Sequence, residues 1–390
     1  MRIIFIIKLS VLSVILSAFT LKSCKKEGGD SQRSVILWKS TEGLNETDEE
    51  VLNSLSVSHT YIRYADVEWN PVYERHEPVK GVNAWNFDYM SANSTAVIFI
   101  TNEVLVNLTY PKMKDLALKI AALYKDRHEE FAKRYGNIFG YYRNTNPDLD
   151  HETKRAQADS ITTDWMKRNN KLLIDCDWSE TTRDKYFALI KELKTELRDT
   201  EIQSTLRLWQ YRDYKLAGIP PVERCLLMCY STGDPKNPNT ENAIVDFATI
   251  KKYITHSRYQ TDLDIALPVY SWGTLFRNGE FAGIISPLTL NYLEGNPSLF
   301  QQNDSTHFTI LRDTVLGNTY YRYGDKLHFQ GVNIEELLEI ARFIKSKLKP
   351  GEEDKISLFS YDPLYFNQIG HENIRKIYRV FSNPVSFLTE

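Results

Sequence analysis

The feature that most constrains the fold of this 390-residue chain is a regular alternation of short β-branched runs with longer helical ones. Eight runs read as strands: residues 35–38, 60–66, 96–101, 172–178, 205–210, 225–230, 262–269 and 356–360. Among the intervening segments, 112–134 carries Leu116, Ile120, Leu123 and Tyr124 at helical spacing. Residues 182–197 carry Tyr186, Leu189, Ile190, Leu193 and Leu197 behind an N-cap at Thr181 or Thr182. Residues 334–348 repeat Leu337, Leu338, Ala341, Ile344 and Leu348, and 371–381 reads as a closing helix. Parallel strands need long crossovers, and a helix supplies one, so alternation of this kind points to a parallel sheet in an α/β protein. Eight strands predict its closed form, a (β/α)8 TIM-type barrel, with an open doubly wound sheet as the alternative.

Two stretches break the alternation. Asn278-Gly279, inside 275–281, is a hairpin signal, and 307–329 alternates again with turns at 316–318 and 323–325. They predict a small antiparallel subdomain over 275–331, inserted before the last strand. No Gly-rich phosphate loop is present, so no nucleotide cofactor is expected. The formal net charge is −3 and no polybasic run occurs, which argues against nucleic acid as a partner. The eight His are dispersed and form no ligand motif, so no metal is expected.

The first residues carry their own message. Arg2 and Lys8 precede an apolar run from Leu9 to Leu21, which is too short to span the ~20 residues of a bilayer. Leu21-Lys22-Ser23-Cys24 follows and resembles a bacterial lipobox. The expectation is a signal peptide over 1–23, acylation of Cys24, a tether over 24–33 and a barrel over 34–390. It implies a membrane partner through the N-terminal lipid, in the cell envelope of a Gram-negative bacterium, at its outer membrane. Cys176, Cys225 and Cys229 lie in apolar runs and read as buried free thiols.

In such barrels the functional mouth stands at the C-terminal ends of the strands. Those ends hold Trp38; then Asp66, Glu68 and Trp69; then Asp175, Asp177, Trp178 and Glu180; then Trp209, Gln210 and Arg212; then Met228 and Tyr230; then Tyr270 and Trp272. Flat rings stack on apolar sugar faces and carboxylates bind hydroxyls, so the set points to a glycan ligand; packing over the barrel core is the competing account of the rings. Side chains alternate along a strand, so Asp175 and Asp177 face inward together. Arg207 faces inward beside them, and an Asp175–Arg207 pair would satisfy the deeper carboxylate. Asp177, one pleat nearer the mouth, is the better functional candidate.

Asp175-Cys176-Asp177, Met228-x-Tyr230 and Ser271-Trp272-Gly273, together with the inserted subdomain, resemble family-18 glycoside hydrolases, the chitinases and endo-β-N-acetylglucosaminidases. The resemblance implies that Asp177 positions the substrate's N-acetyl group, that Tyr230 helps hold it and that Trp272 floors the sugar site. The family's motif ends in a Glu acid two residues after the second Asp. Here that place is Ser179, and a Glu stands one place later, at Glu180. Uncharacterised barrel lipoproteins of Gram-negative bacteria are similar over the wider pattern, including 219–224 and 324–327. Two functions follow as expectations. One is hydrolysis of N-acetylglucosamine-containing glycans, with Glu180 or Asp177 as acid, Asp175 beside them, and Asp66, Glu68 or Asp264 as outer options. The other is a non-catalytic glycan-binding lipoprotein, with Trp38, Trp69, Trp209, Trp272, Tyr230, Asp66, Glu68 and Arg207 contributing to the site.

Overall fold

The computed structural model describes residues 30–39, 42–316 and 319–382. The expected signal peptide, Cys24 and residues 25–29 of the expected tether lie outside the described residues.

The strands in chain order are β1 (Gln32–Leu37), β2 (His59–Asn70), β3 (Arg75–Lys80), β4 (Ser94–Ile100), β5 (Lys171–Cys176), β6 (Glu201–Arg207), β7 (Arg224–Met228) and β8 (Asp262–Pro268). They continue with β9 (Trp272–Arg277), β10 (Glu280–Ile285), β11 (Phe300–Gln302), β12 (His307–Ile310), β13 (Thr314–Leu316), β14 (Thr319–Tyr321), β15 (Lys326–Gln330) and β16 (Lys355–Phe359). Eight of them, β1, β2, β4, β5, β6, β7, β8 and β16, pair in parallel, and the β1–β2 ladder closes the ring. The chain is therefore a (β/α)8 barrel, as the alternation predicts. β3 folds back antiparallel on β2, outside the ring. Between β8 and β16, strands β9, β10, β11, β12 and β15 form an antiparallel sheet with its own small core around Leu275, Phe300, Phe308 and Leu327. Its first turn is Asn278-Gly279, with φ of 53° and 83°, the left-handed pair that a two-residue hairpin demands.

Tertiary context moved several local expectations. The fifth barrel strand, predicted over 205–210, runs Glu201–Arg207. Its start, Glu-x-Gln, is polar, and Leu208–Arg212 turns helical at once, with the Gln210 side chain taking the Arg207 N–H at 2.7 Å. The helix His151–Arg168 carries few apolar residues, mainly Ala158 and Trp165 on its buried side, so it leaves little periodic trace in the sequence. Asp150 caps it by accepting the Thr153 N–H. The three described cysteines are buried free thiols.

At the N-terminal end of the barrel the interior is ionic. Fully buried Asp264 accepts from Tyr61 Oη at 2.7 Å, Arg224 Nη1 at 2.8 Å, Lys355 N–H at 2.8 Å and Lys355 Nζ at 3.0 Å. These cations outweigh the burial that would raise the carboxyl and hold it below the usual carboxylate range. Asp264 thus plugs the closed end rather than serving the mouth, because it sits early on its strand.

Candidate functional site

The mouth is built where the strands end. A cleft of about 370 Å³ opens there, lined by residues from β4, β5, β6, β7, β9 and β16, the segments following β1, β5, β7, β8, β10 and β16, and the helix Pro363–Ile369. Its walls are mainly aromatic. Trp38 meets Phe99 at 5.8 Å and Phe359 at 5.5 Å between ring centroids. Tyr230 stacks on Phe359 at 4.9 Å, and Tyr270 stands edge-on to both Tyr230 and Trp272. The rings therefore form one arc from Trp38 to Trp272. Arg63 lies against the Trp38 face at 4.4 Å and donates to its carbonyl, which fixes that end of the arc.

The polar side of the cleft is Asp175, Asp177 and Arg207. Arg207 Nη1 donates to Asp177 Oδ2 at 2.5 Å, and the two side chains are 34% and 41% exposed. The expected Asp175–Arg207 pair is not the one formed. Arg207 ends β6, level with the chain beyond Cys176, so it meets the carboxylate one pleat higher. Asp175 is buried and instead accepts from Thr205 Oγ1 at 2.8 Å. Burial first, and the Asp177 charge second, push its carboxyl up to about 7. A proton acceptor poised near neutrality thus sits beneath an ion pair. Tyr230, buried beside them, has its phenol held well above the usual range by burial.

Buried Gln210 organises this corner. Besides the Arg207 N–H, it binds the Trp178 carbonyl through Nε2 at 2.9 Å and so joins the ends of β5 and β6. Gln330, also buried, does the same for the far wall. Its Oε1 accepts from Trp272 Nε1 at 2.8 Å and from the Ala243 N–H at 3.2 Å. Ser286 and Tyr365 close that side, with their hydroxyls 3.0 Å apart.

The structure brings Trp38, Asp175, Asp177, Arg207, Tyr230 and Trp272 to one opening. It does not bring the others there. Glu180 is exposed on the turn after β5. The chain leaves the barrel at Cys176, and Trp178 packs outward on Tyr186 with its indole N–H on the Ala217 carbonyl, which carries Glu180 into solvent. Asp66 is engaged by the Arg63 guanidinium. Glu68 is exposed on the β2–β3 ribbon, where Trp69 packs against His76. Trp209 is half-buried in the short helix Leu208–Arg212 and lines no part of the cleft. Gln210, Phe359 and Ser360 stand where barrel strands end, whereas Ser286, Gln330 and Tyr365 lie outside the barrel strands and no strand-end rule picks them out. Among the described residues no cluster of His, Cys, Asp or Glu is arranged to hold a metal ion.

Fold and site together define the class: an α/β barrel with an aromatic, acidic cleft at its C-terminal mouth. No protein-family model matches the sequence, and no curated protein matches it. Among solved structures, the chain is similar to the spore cortex-lytic enzyme SleL of Bacillus cereus, at 12% identity over 90% of this chain and 75% of that one, with a TM-score of 0.44. It is also similar to a chitinase from Chromobacterium violaceum, at 8% identity over 88% and 98%, with a TM-score of 0.43. A third is the GH53 catalytic domain of Ignisphaera aggregans, at 9% identity over 91% and 97%, with a TM-score of 0.39. The barrel itself rests on its own closed strand ladder.

Proposed function

We propose that the chain is a lipid-anchored protein of the cell envelope whose barrel binds glycans containing N-acetylglucosamine through the mouth cleft. One observation carries the binding function: a continuous arc of rings, Trp38 to Trp272, faces an open Asp177–Arg207 pair across a single cleft. Rings offer apolar stacking faces, and the ion pair offers both acceptors and donors to sugar hydroxyls and amides. Hydrolysis by paired carboxylates needs two groups flanking the bond from opposite sides. The carboxylates lining this cleft, Asp175 and Asp177, leave one strand two residues apart, and Glu180 stands outside. Binding without turnover therefore fits the geometry best. The raised Asp175 carboxyl favours a second reading, in which it acts as the acid and Asp177 orients the substrate's own amide.

Calorimetric titration with N-acetylglucosamine oligomers and N-glycans, alongside product analysis, separates the readings. Binding weakened at least about tenfold by Trp272→Ala, roughly 1.4 kcal/mol, with no product, supports the first. Product formation abolished by Asp177→Asn replaces it with the second. Absence of binding to every such glycan rejects both.

A further inference from the structure

We infer that the closed end of the barrel faces the lipid surface and the cleft opens away from it. The inference rests on the anchoring proposed above and adds an orientation to it. β1 begins at Gln32, and every barrel strand runs parallel to it, so the chain enters at the end opposite the cleft. The lipid-bearing residue expected at Cys24 is eight residues before Gln32 in the sequence. At ~3.3–3.6 Å per residue, eight residues reach at most about 29 Å.

That reach decides between two ways of standing on a membrane. The β2–β3 ribbon rises on the mouth side of the barrel. The register sets Ser34 beside His59, so Gln32 lies two residues below the start of a 12-residue strand. Allowing for the irregularity at Arg63–Ala65, Asn70 stands roughly 32 Å above Gln32 at ~3.3 Å per residue and a ~36° tilt. The ribbon tip lies beyond Asn70 and exposes apolar Val72 (81%) and Tyr73 (66%). An inverted molecule, with this tip in the lipid, would hold Gln32 further from the bilayer than the tether spans.

The closed end suits the other orientation. Around its polar hollow are four basic side chains, Lys171 and Arg224 among them, and four acidic ones, Glu201 and Glu353 among them. The large apolar residues exposed elsewhere are absent from this rim. Balanced charge supplies neither electrostatic adhesion nor an inserting patch, so the lipid chains do the holding. The cleft then meets saccharide arriving from the far side of the protein, such as a polymer or a detached glycan, rather than the head groups of the membrane that holds it.

The test uses the full lipidated chain in vesicles of phosphatidylethanolamine and phosphatidylglycerol containing an acceptor dye on a minority of head groups. A donor dye is placed through Glu353→Cys at the closed end or Tyr73→Cys at the ribbon tip; the described native thiols are buried and stay unlabelled. Energy transfer several-fold stronger from position 353 than from position 73 is expected. Inserting about 20 Gly/Ser residues before Gln32, which extends the fully stretched reach about 3.5-fold, should level the two. Equal or reversed transfer with the native tether overturns the orientation. Cys24→Ala must abolish flotation with the vesicles. If the wild-type chain floats no better than that variant, the anchoring fails and takes the orientation with it, whereas flotation with reversed transfer rejects the orientation alone.

Discussion

Replacing Asp175 by Asn removes a charge that folding has to hide, and the consequence is a stability gain that depends on pH. In the native barrel the carboxyl is buried beneath Asp177 and is pushed up to about 7, from an ordinary value of 3.8. Between about pH 4 and 7 the native state therefore keeps a proton that the unfolded chain has released. Stability falls as pH rises through that window, because the native state binds more protons than the unfolded one, and it levels off above 7. The difference of roughly 3 pH units corresponds to about 4 kcal/mol at 1.36 kcal/mol per unit. The amide still offers Thr205 an acceptor but never ionises. Asp175→Asn should match the wild type near pH 4 and exceed it by about 2–4 kcal/mol at pH 8. Urea denaturation at half-unit steps from pH 4 to 8 measures both curves. Parallel curves across the window would refute the reasoning, since the carboxyl would then titrate alike in both states.

Two further outcomes follow from the packing. Gln330→Met should weaken binding of N-acetylglucosamine oligomers by loosening Trp272, with a coupling of about 1 kcal/mol to Trp272→Phe in a double-mutant cycle; additivity of the two substitutions would show that the hydrogen bond does not set the ring. Asp264→Ala strands buried Lys355 and takes one partner from Arg224, so it should cost about 3–5 kcal/mol in chemical denaturation, and a loss below about 1 kcal/mol would contradict the ionic plug.

How far the site could be seen in the sequence differs from residue to residue. Asp175 and Asp177 were visible because period-2 alternation on an apolar strand makes two inward carboxylates conspicuous. Trp38, Tyr230 and Trp272 were visible because the ends of barrel strands are known positions once the strands are found. The same rule proposed Trp69, Trp209, Glu68 and Glu180. It cannot tell whether a chain leaving the barrel turns over the mouth or away from it. After β5 the decision is made by Trp178, which packs outward on Tyr186 and carries Glu180 into solvent. The Arg207 partner was missed for a related reason: register between neighbouring strands selects Asp177 over Asp175, and local alternation is silent on register.

The sequence by itself determined the eight-stranded α/β barrel and the inward face of β5. Each is a matter of hydrophobic period and turn chemistry, which act over a few residues. Only the tertiary structure decided which mouth residues share a cleft, which acid meets Arg207, and that Asp264 belongs to the closed end. Those depend on ring closure and stagger, which bring residues such as Tyr61 and Asp264, or Ser271 and Tyr365, into contact across long stretches of chain. No local pattern encodes a distance of that kind, because it is the sum of every strand register around the barrel.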